Sequence, residues 1–260
     1  MNTINKLFAE KKNNILSIYF TAGFPKVDDT GRILNELVSN RVDMIEIGIP
    51  FSDPLADGPV IQASSEEALK NGMTLKLLFE QLEKAACIKQ NPQIAFLLMG
   101  YLNPILQFGV ERFCLRAAQV GISGCIIPDL PMDEYLKDYK TLFNKYDLKN
   151  IFLITPQTSD SRIRLIDSNS DVFIYMVSSA STTGTKYGVD EEKEKYFKRI
   201  KSMQLKNPLM IGFGISDKNS FTKATQYANG AIIGSAFINS LKEGRSVHEI
   251  IGSFKDKAVV

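Results

Sequence analysis

The sequence predicts an α/β fold of the (β/α)8 TIM barrel type. Eight short, nearly continuous apolar runs occur along the chain, as expected for parallel strands that are buried on both faces. Amphipathic segments with helical spacing follow most of these runs. The length of 260 residues suits one such barrel, which typically needs roughly 250 residues. This pattern alone does not distinguish a closed barrel from a doubly wound open sheet.

The predicted strands are spread from the first twenty residues to near residue 233. They are Ile15–Phe20, Met44–Ile49, Ile94–Met99, Gly124–Ile127, Asn150–Ile154, Val172–Val177, Pro208–Gly212 and Gly230–Ile233. No low-complexity linker or break in composition separates them. We therefore expect a single catalytic domain over residues 1–260.

Helical periodicity fills the intervals between the strands. One clear example has apolar residues at relative positions 0, 3, 4, 7 and 8, namely Val110, Phe113, Cys114, Ala117 and Ala118. The long interval between the second and third strands holds an inserted amphipathic helix with Leu75, Leu77, Leu78, Leu82 and Ala85. We also expect an opening helix near Ile4–Glu10 and a closing helix near Val247–Lys255.

Composition and charge argue against several classes of protein. The net charge is only +2 with both signs interspersed, so no basic surface for nucleic acid or an anionic membrane is indicated. No apolar run approaches the roughly 20 residues that span a bilayer, and the first residues lack the apolar core of a secretory signal. The three cysteines form no CxxC pair, and we expect reduced thiols in a cytoplasmic protein.

A histidine-rich metal site is excluded, because His248 is the only histidine. A Ser–His–acid triad would have to use this late residue. We therefore predict no metal site in the chain.

An acidic residue stands out in the second predicted strand. Side chains alternate faces along a strand, so Ile45, Ile47 and Ile49 share one face, and Glu46 lies on the other with Met44 and Gly48. We expect Glu46 to project into the barrel near the carboxyl end of its strand, where barrel enzymes keep their active sites. Burial raises the pKa of a carboxyl group toward neutrality, which suits a general acid or base. Strand position alone does not distinguish this role from a structural polar layer inside the barrel.

The loop that follows carries two more carboxylates at the same end of the barrel. Its sequence, PFSDPLADGP over residues 50–59, contains Asp53 and Asp57 among three prolines and a glycine. Asp beside Pro or Gly is also common in ordinary turns. The loop therefore offers candidate catalytic groups without proving a role for either.

Two late glycine-containing segments look suited to binding an anion. GFGIS at 212–216 follows the seventh strand, and GSA at 234–236 follows the eighth and opens a helix. Barrels often bind phosphate between these two loops, through backbone N–H groups and a helix N-terminus. The Ser/Thr/Gly-rich stretch Ser178–Asp190, which includes Gly184, reads as a mobile loop that adds to this site. Each glycine alone is equally compatible with a simple turn.

The segment EIGIPFSDPLADGPVIQ at 46–62 closely resembles the signature of tryptophan synthase alpha subunits. Similar segments follow the order of that family over nearly the whole chain: YFTAGFP at 19–25, MGYLNPI at 99–105, IIPDLP at 126–131, STTGTK at 181–186, GFGIS and GSA. The resemblance implies that Glu46 is the principal catalytic acid/base and Asp57 the second catalytic carboxylate. It also implies a phosphate site at Gly184, Gly214, Gly234 and Ser235.

The resemblance further implies a lyase that splits indole-3-glycerol phosphate into indole and glyceraldehyde 3-phosphate by retro-aldol cleavage. In this hypothesis Glu46 takes the proton of the side-chain hydroxyl and also shuttles protons at the ring carbon of the indole. Asp57 accepts a hydrogen bond from the indole N–H. Apolar walls for indole are expected from Tyr19, Phe20, Leu98 and Tyr175, each of which is equally compatible with plain barrel core. No cofactor is expected in this chain, because the family's pyridoxal phosphate belongs to a partner beta subunit in an α2β2 assembly that receives the indole.

Some positions depart from the family pattern. Phe24 replaces a frequent Asp, and Ser179, Ser181 and Thr182 stand where the family often has Arg, Gly and Val, while Thr183 and Gly184 fit the loop. These departures concern loop closure and signalling to the partner more than the two carboxylates. Two rival functions stay open, namely another phosphosugar barrel enzyme, such as an isomerase of the same pathway, and a non-catalytic barrel that activates a beta-type partner.

Overall fold

The computed structural model describes residues 1–177, 189–212 and 214–254, and its strands form one parallel sheet. The strands are β1 Ile15–Thr21, β2 Met44–Gly48, β3 Ala95–Met99, β4 Gly124–Ile126, β5 Lys149–Ile151, β6 Leu153–Ile154, β7 Ile174–Val177, β8 Leu209–Gly212 and β9 Gly230–Ile233. Their order in the sheet is β5-β4-β3-β2-β1-β9-β8-β7-β6. All the strand bounds lie within two residues of those expected from the apolar runs.

The sheet closes on itself through Phe152. Its two edge strands, β5 and β6, are consecutive pieces of one strand that are separated only by this residue. β5 pairs with β4, β6 pairs with β7, and the Phe152 carbonyl accepts a hydrogen bond of 2.9 Å from the N–H of Tyr175. The nine segments are therefore eight strands of a closed barrel. The prediction of a (β/α)8 barrel is confirmed, and the open doubly wound sheet is excluded.

Helices cover the outside of the barrel. They are α1 Thr3–Glu10, α2 Asp29–Ser39, α3 Pro59–Lys70, α4 Leu75–Lys84, α5 Ala86–Gln90, α6 Leu102–Phe108, α7 Val110–Val120, α8 Met132–Glu134, α9 Lys140–Lys145, α10 Asp160–Asn169, α11 Val189–Ser202, α12 Lys218–Thr225, α13 Ser235–Lys242 and α14 Val247–Gly252, with a π-helical segment at Tyr135–Tyr139. The inserted helix that the sequence predicts is α4. Among the described residues, no helix has the length and apolar character needed to cross a membrane.

The opening helix α1 is hydrogen-bonded, through Asn2 at its N-terminus, to the residues that precede β4 and β5. The side chain of Asn2 caps the helix by accepting from the N–H of Ile4. Its amide group donates to the carbonyl oxygens of Ser123 and Asp147, at 2.9 and 2.7 Å. These bonds hold α1 at the end of the barrel where β4 and β5 begin, opposite the end that carries the candidate site.

The register of the strands separates an inner and an outer layer of side chains. Tyr19, Glu46 and Leu97 lie side by side on β1, β2 and β3, and they share one face of the sheet. Phe20, Ile47 and Leu98 form the next row, which therefore belongs to the opposite face. Both rows are almost completely buried. These two rows of packed side chains hold the strands in place, and the loops that follow the carboxyl ends of the strands start from fixed positions.

Candidate active site

Glu46 is fully buried inside the barrel, on β2. The hydroxyl of Ser17, on the neighbouring strand β1, donates a hydrogen bond of 2.7 Å to its Oε1 atom. Its Oε2 atom is buried and has no hydrogen-bond partner among the described residues. Burial raises the pKa of Glu46 to about 8, although the bond from Ser17 acts in the opposite direction. Glu46 is therefore mainly protonated at neutral pH, with one oxygen left available.

Asp57 lies in the loop between β2 and α3, where its carboxyl group contacts a buried tyrosine. The hydroxyl of Tyr101 donates a 3.1 Å hydrogen bond to Oδ2 of Asp57 and accepts one of 3.0 Å from the N–H of Ala56. The other oxygen, Oδ1, is buried without a partner in the described chain. Burial raises the pKa of Asp57 to about 6, with the bond from Tyr101 opposing the rise. Asp57 is therefore mainly ionised at neutral pH.

A cavity of about 200 Å³ opens at the carboxyl ends of the strands. Its apolar wall is formed by Tyr19, Ile61, Met99, Tyr175, Ile215 and Ile232. Its polar side includes Gly214, Ser216, Gly234, Ser235 and Asn239. Such a combination of a flat apolar wall and a polar end is suited to a ligand that has a ring at one end and an anion at the other.

The two tyrosines of this wall lie against glycines of neighbouring strands. A Cβ atom built on Gly48 would stand 2.2 Å from the hydroxyl oxygen of Tyr19, and one built on Gly212 would stand 2.1 Å from that of Tyr175. Only glycine leaves space for these hydroxyl groups. Burial raises the pKa of both tyrosines, and the charges of Glu46 and Asp57 add to the rise. Both rings therefore stay neutral and lie within electrostatic reach of both carboxylates.

The polar end of the cavity has the features of an anion site. α13 begins at Ser235 after β9, and Gly234, Ser235 and Ala236 at its start line the cavity. The helix dipole favours negative charge at such a position. Gly214 adopts a φ of 76°, which is strained for other residues. Glycine is therefore favoured at this point of the cavity lining.

Comparison with known proteins gives a consistent result over nearly the full length. A sequence model of the family described as tryptophan synthase alpha chain matches residues 4–256. A tryptophan synthase alpha chain of Flavobacterium johnsoniae is 56% identical over 257 residues, covering 98% of this chain and 100% of that protein. One of Flavobacterium psychrophilum is 60% identical over 243 residues, covering 94% of each.

The chain belongs to the tryptophan synthase alpha chain family. The family resemblance seen in the sequence is thus confirmed, and with it the class of lyase that cleaves indole-3-glycerol phosphate in tryptophan biosynthesis. The solved structure of a tryptophan synthase alpha chain from Legionella pneumophila superposes with a TM-score of 0.84 at 31% identity, covering 98% of this chain and 96% of that one. The barrel described above is therefore the fold of this family.

Five of the eleven site residues expected from the sequence line one cavity, and the carboxylates Glu46 and Asp57 are not among its lining residues. Tyr19, Tyr175, Gly214, Gly234 and Ser235 line it. Gly184 and Thr183 lie outside the described residues.

Phe20 and Leu98 do not belong to the cavity wall. They occupy the row of side chains opposite to that of Tyr19, because successive residues of a strand point to opposite faces. Both are buried between the sheet and the outer helices. Met99, which follows Leu98 on β3, lines the cavity instead.

Sequence reasoning missed two residues that contact the carboxylates directly. Ser17 is a polar residue that interrupts the apolar start of β1, on the same face as Tyr19, and this alternation could have revealed it. Tyr101 follows the end of β3, but its contact with Asp57 joins two loops that are distant in sequence. In the described ranges, no group of three or more His, Cys, Asp or Glu side chains is placed to hold a metal ion.

Proposed function

We propose that this chain cleaves indole-3-glycerol phosphate to indole and glyceraldehyde 3-phosphate with Glu46 as proton carrier and Asp57 as the partner of the indole N–H. The observation that carries the proposal is the pair of buried carboxyl groups at one end of the barrel, whose pKa values are raised to about 8 and about 6. Environments that separate the pKa values of two acids around neutrality assign one as acid and the other as base.

Glu46 can make both proton transfers that the cleavage needs. In its protonated form it gives a proton to the indole ring carbon, which turns the ring into an electron sink. The resulting carboxylate then takes the proton of the side-chain hydroxyl as the carbon–carbon bond breaks and the aldehyde forms. One proton leaves Glu46 and one returns, so the proposed cleavage consumes no co-reactant and requires no cofactor in this chain.

Asp57 would stabilise the positive character that the ring nitrogen gains during these steps. A carboxylate that is ionised and poorly hydrated interacts strongly with a developing charge. Its buried Oδ1 atom has no partner in the described protein, so an N–H donor of the substrate can use it without competing with another bond.

The phosphate would be held at the other end of the cavity. The backbone at Gly214 and Gly234, the hydroxyl of Ser235 and the start of α13 offer donors without a basic side chain. Gly184 completes this set in the family resemblance. Anchoring the phosphate fixes the distance between the scissile bond and Glu46, which reduces the entropy cost of reaching the reactive arrangement. Tyr19 and Tyr175, with Met99 and Ile61, provide the wall for the indole ring.

We further propose that the chain works as a single cytoplasmic domain over residues 1–260 with a beta subunit in an α2β2 assembly. The beta subunit would carry the pyridoxal phosphate and consume the indole. Family membership supports this arrangement, since a solved tryptophan synthase of M. tuberculosis superposes on the chain with a TM-score of 0.84 at 27% identity.

The decisive experiment measures indole release from indole-3-glycerol phosphate by the purified chain, with and without beta subunit. We expect release by the wild-type protein and a loss of roughly 10²-fold or more in Glu46→Gln, because positioned acid/base groups contribute about that much. Glu66→Gln is a matched control, since Glu66 is an exposed residue of α3 that pairs with Lys70. Substantial turnover by Glu46→Gln refutes the proposal. Stimulation of the beta subunit without indole formation supports the non-catalytic alternative.

A further inference from the structure

Asp57 is the last residue of a short turn whose tip is exposed. The turn covers residues 54–57, and the N–H of Asp57 closes it with a hydrogen bond of 3.3 Å to the carbonyl oxygen of Pro54. This distance exceeds the usual range of about 2.7–3.2 Å, so the bond is weak. Leu55, at the tip, is 93% exposed and adds no apolar packing. The position of Asp57 therefore depends on hydrogen bonds from outside the turn.

Gln62, in the first turn of α3, supplies such bonds. Its Nε2 atom donates to the carbonyl oxygen of Asp57 at 2.9 Å and to that of Pro54 at 3.4 Å. An amide NH2 group has two hydrogens, so it can make both bonds at once. The bond to Asp57 is the stronger, because it is the shorter. Gln62 thus joins the two ends of the turn to a helix.

These bonds do not cap α3. The groups that lack partners at the start of a helix are backbone N–H donors, which need an acceptor. Nε2 of Gln62 is itself a donor, and both of its partners are carbonyl oxygens that precede the helix. The N-cap residue, Gly58, has no side-chain cap. The Gln62 amide therefore acts on the loop that carries Asp57, and not on the helix to which it belongs.

Asp57 is consequently held at both ends of its side chain. Tyr101 donates to Oδ2 of the carboxyl group at 3.1 Å, and Gln62 holds the backbone carbonyl. Two fixed points restrict the rotation of the carboxyl group and set the direction of Oδ1, which is buried without a partner in the described chain. A preorganised acceptor stabilises a developing charge more effectively, since it needs no reorientation during the reaction.

We propose that Gln62 is a positioning residue for the cleavage, which holds the backbone at Asp57 so that the free carboxylate oxygen meets the indole nitrogen. The inference rests on the proposed function, because it requires Asp57 to accept from the indole N–H. Gln62 is uncharged and bonds the backbone, whereas Tyr101 bonds the carboxylate itself. Gln62 therefore sets the direction of Asp57 rather than its charge.

The test compares the affinity of two ligands by calorimetry. One is an indole whose three-carbon chain ends in phosphate and bears no hydroxyl, so that it cannot be cleaved, and the other is its N-methyl derivative. We expect the wild-type protein to prefer the N–H ligand by about tenfold or more, as for a hydrogen bond to a charged acceptor. In Gln62→Met the preference should fall by about threefold or more, since methionine has similar length but no donor.

Gln119→Met is the matched control. Gln119 is an exposed glutamine near the end of α7, which leads into the start of β4 at the opposite end of the barrel. It should keep the wild-type preference, and thermal unfolding of both variants should be nearly unchanged, as for most surface substitutions. An unchanged preference in Gln62→Met overturns the inference. A preference that falls only together with thermal stability is a structural effect and also contradicts it.

Kinetics in the presence of beta subunit give an independent measure. The value of kcat/KM for indole release should fall roughly three- to tenfold in Gln62→Met, the equivalent of one hydrogen bond. Gln62→Glu, which keeps the length but has no donor at neutral pH, should lose at least as much. A wild-type kcat/KM in Gln62→Met contradicts the proposed role.

The two proposals fail separately. Turnover by Glu46→Gln refutes the proton carrier, but it leaves the binding comparison unaffected because neither ligand is cleaved. A wild-type protein that does not prefer the N–H ligand refutes the role of Asp57 and the inference with it. A wild-type preference that Gln62→Met retains refutes the inference alone.

Discussion

The hydroxyl of Ser17 donates a hydrogen bond of 2.7 Å to Oε1 of Glu46 across two adjacent strands in the interior of the barrel. Among the described residues, this bond is the interaction that lowers the pKa of Glu46 against the effect of burial. Ser17 therefore helps to set the pH range over which Glu46 carries a proton. Neither residue is accessible to solvent, so this range depends on the fold rather than on the surrounding solution.

Replacing Ser17 with alanine should raise the pKa of Glu46 further, because the charged form loses its donor. The basic limb of kcat/KM for indole release should then move to higher pH. Ser17→Thr keeps the hydroxyl and serves as the control that retains the wild-type limb. If the basic limb of kcat/KM stays in place or moves to lower pH in Ser17→Ala, the hydrogen bond from Ser17 does not lower the pKa of Glu46.

The wild-type protein should show a bell-shaped pH dependence of kcat/KM. Asp57 must be ionised to accept from the indole N–H, and its pKa is raised to about 6. Glu46 must be protonated to give a proton to the indole ring carbon, and its pKa is raised to about 8. Activity should therefore fall below about pH 6 and above about pH 8, because kcat/KM reports the groups of the free enzyme. A profile that is flat across this range would contradict the two assignments.

Glu46→Gln should be more stable than the wild-type protein at neutral pH. The pKa of Glu46 is raised from 4.5 to about 8 in the folded chain, so above pH 4.5 the unfolded chain releases a proton that the folded chain retains. This contribution destabilises the fold progressively up to about pH 8, by roughly 5 kcal/mol in total. Urea unfolding at pH 5 and pH 8 should show that the advantage of the variant grows with pH. An equal difference at both values would disprove the burial effect.

Gly48→Ala should disturb the site through its contact with Tyr19. The added methyl group would stand 2.2 Å from the hydroxyl and 2.6 Å from Cζ of the ring, so the ring has to move. We expect a loss of about 1–3 kcal/mol in the free energy of unfolding, as for other overpacked interiors. Gly31→Ala is the control, because nothing lies within 4 Å of its added methyl group in α2.

The same substitution at Gly48 should cost less when the tyrosine ring is absent. In a double-mutant cycle with Tyr19→Leu, the two changes should be coupled by about 0.5–3 kcal/mol. Additive effects would mean that the damage at Gly48 arises elsewhere.

Gly234→Ala should impair substrate binding without impairing the fold. The added methyl group would meet Tyr19 and Ile61 at ordinary contact distances of 3.4 and 3.7 Å, and both are cavity residues. It would therefore enter the cavity and keep a phosphate away from the backbone. We expect KM to rise by about tenfold or more, as for the loss of one hydrogen bond to a charged group. Thermal unfolding should be nearly unchanged, and an unaltered KM would argue against phosphate at this position.

The order of the barrel was predictable from the sequence because its determinants are local. Apolar runs of four to six residues defined the strands, and alternation placed Glu46 on the face opposite to Ile45 and Ile47. The same alternation argues against Phe20 in the cavity, since Tyr19 and Phe20 are adjacent on β1 and cannot share a face. For Leu98 the local pattern was insufficient, because every residue of β3 is buried and only the register with β2 shows which face is inside.

The sequence by itself determined the eight strands, the position of Glu46 within β2 with Asp57 in the loop that follows, and the family to which the chain belongs. The tertiary structure decided the pKa values of these two carboxyl groups and hence their protonation at neutral pH. Burial, the donor from Ser17 and the contact of Asp57 with Tyr101 set the two pKa values. The two hydrogen bonds join residues that are 29 and 44 positions apart in the chain. Closure through Phe152 was likewise a tertiary outcome, since pairing between the edges of a sheet leaves no local trace in the chain.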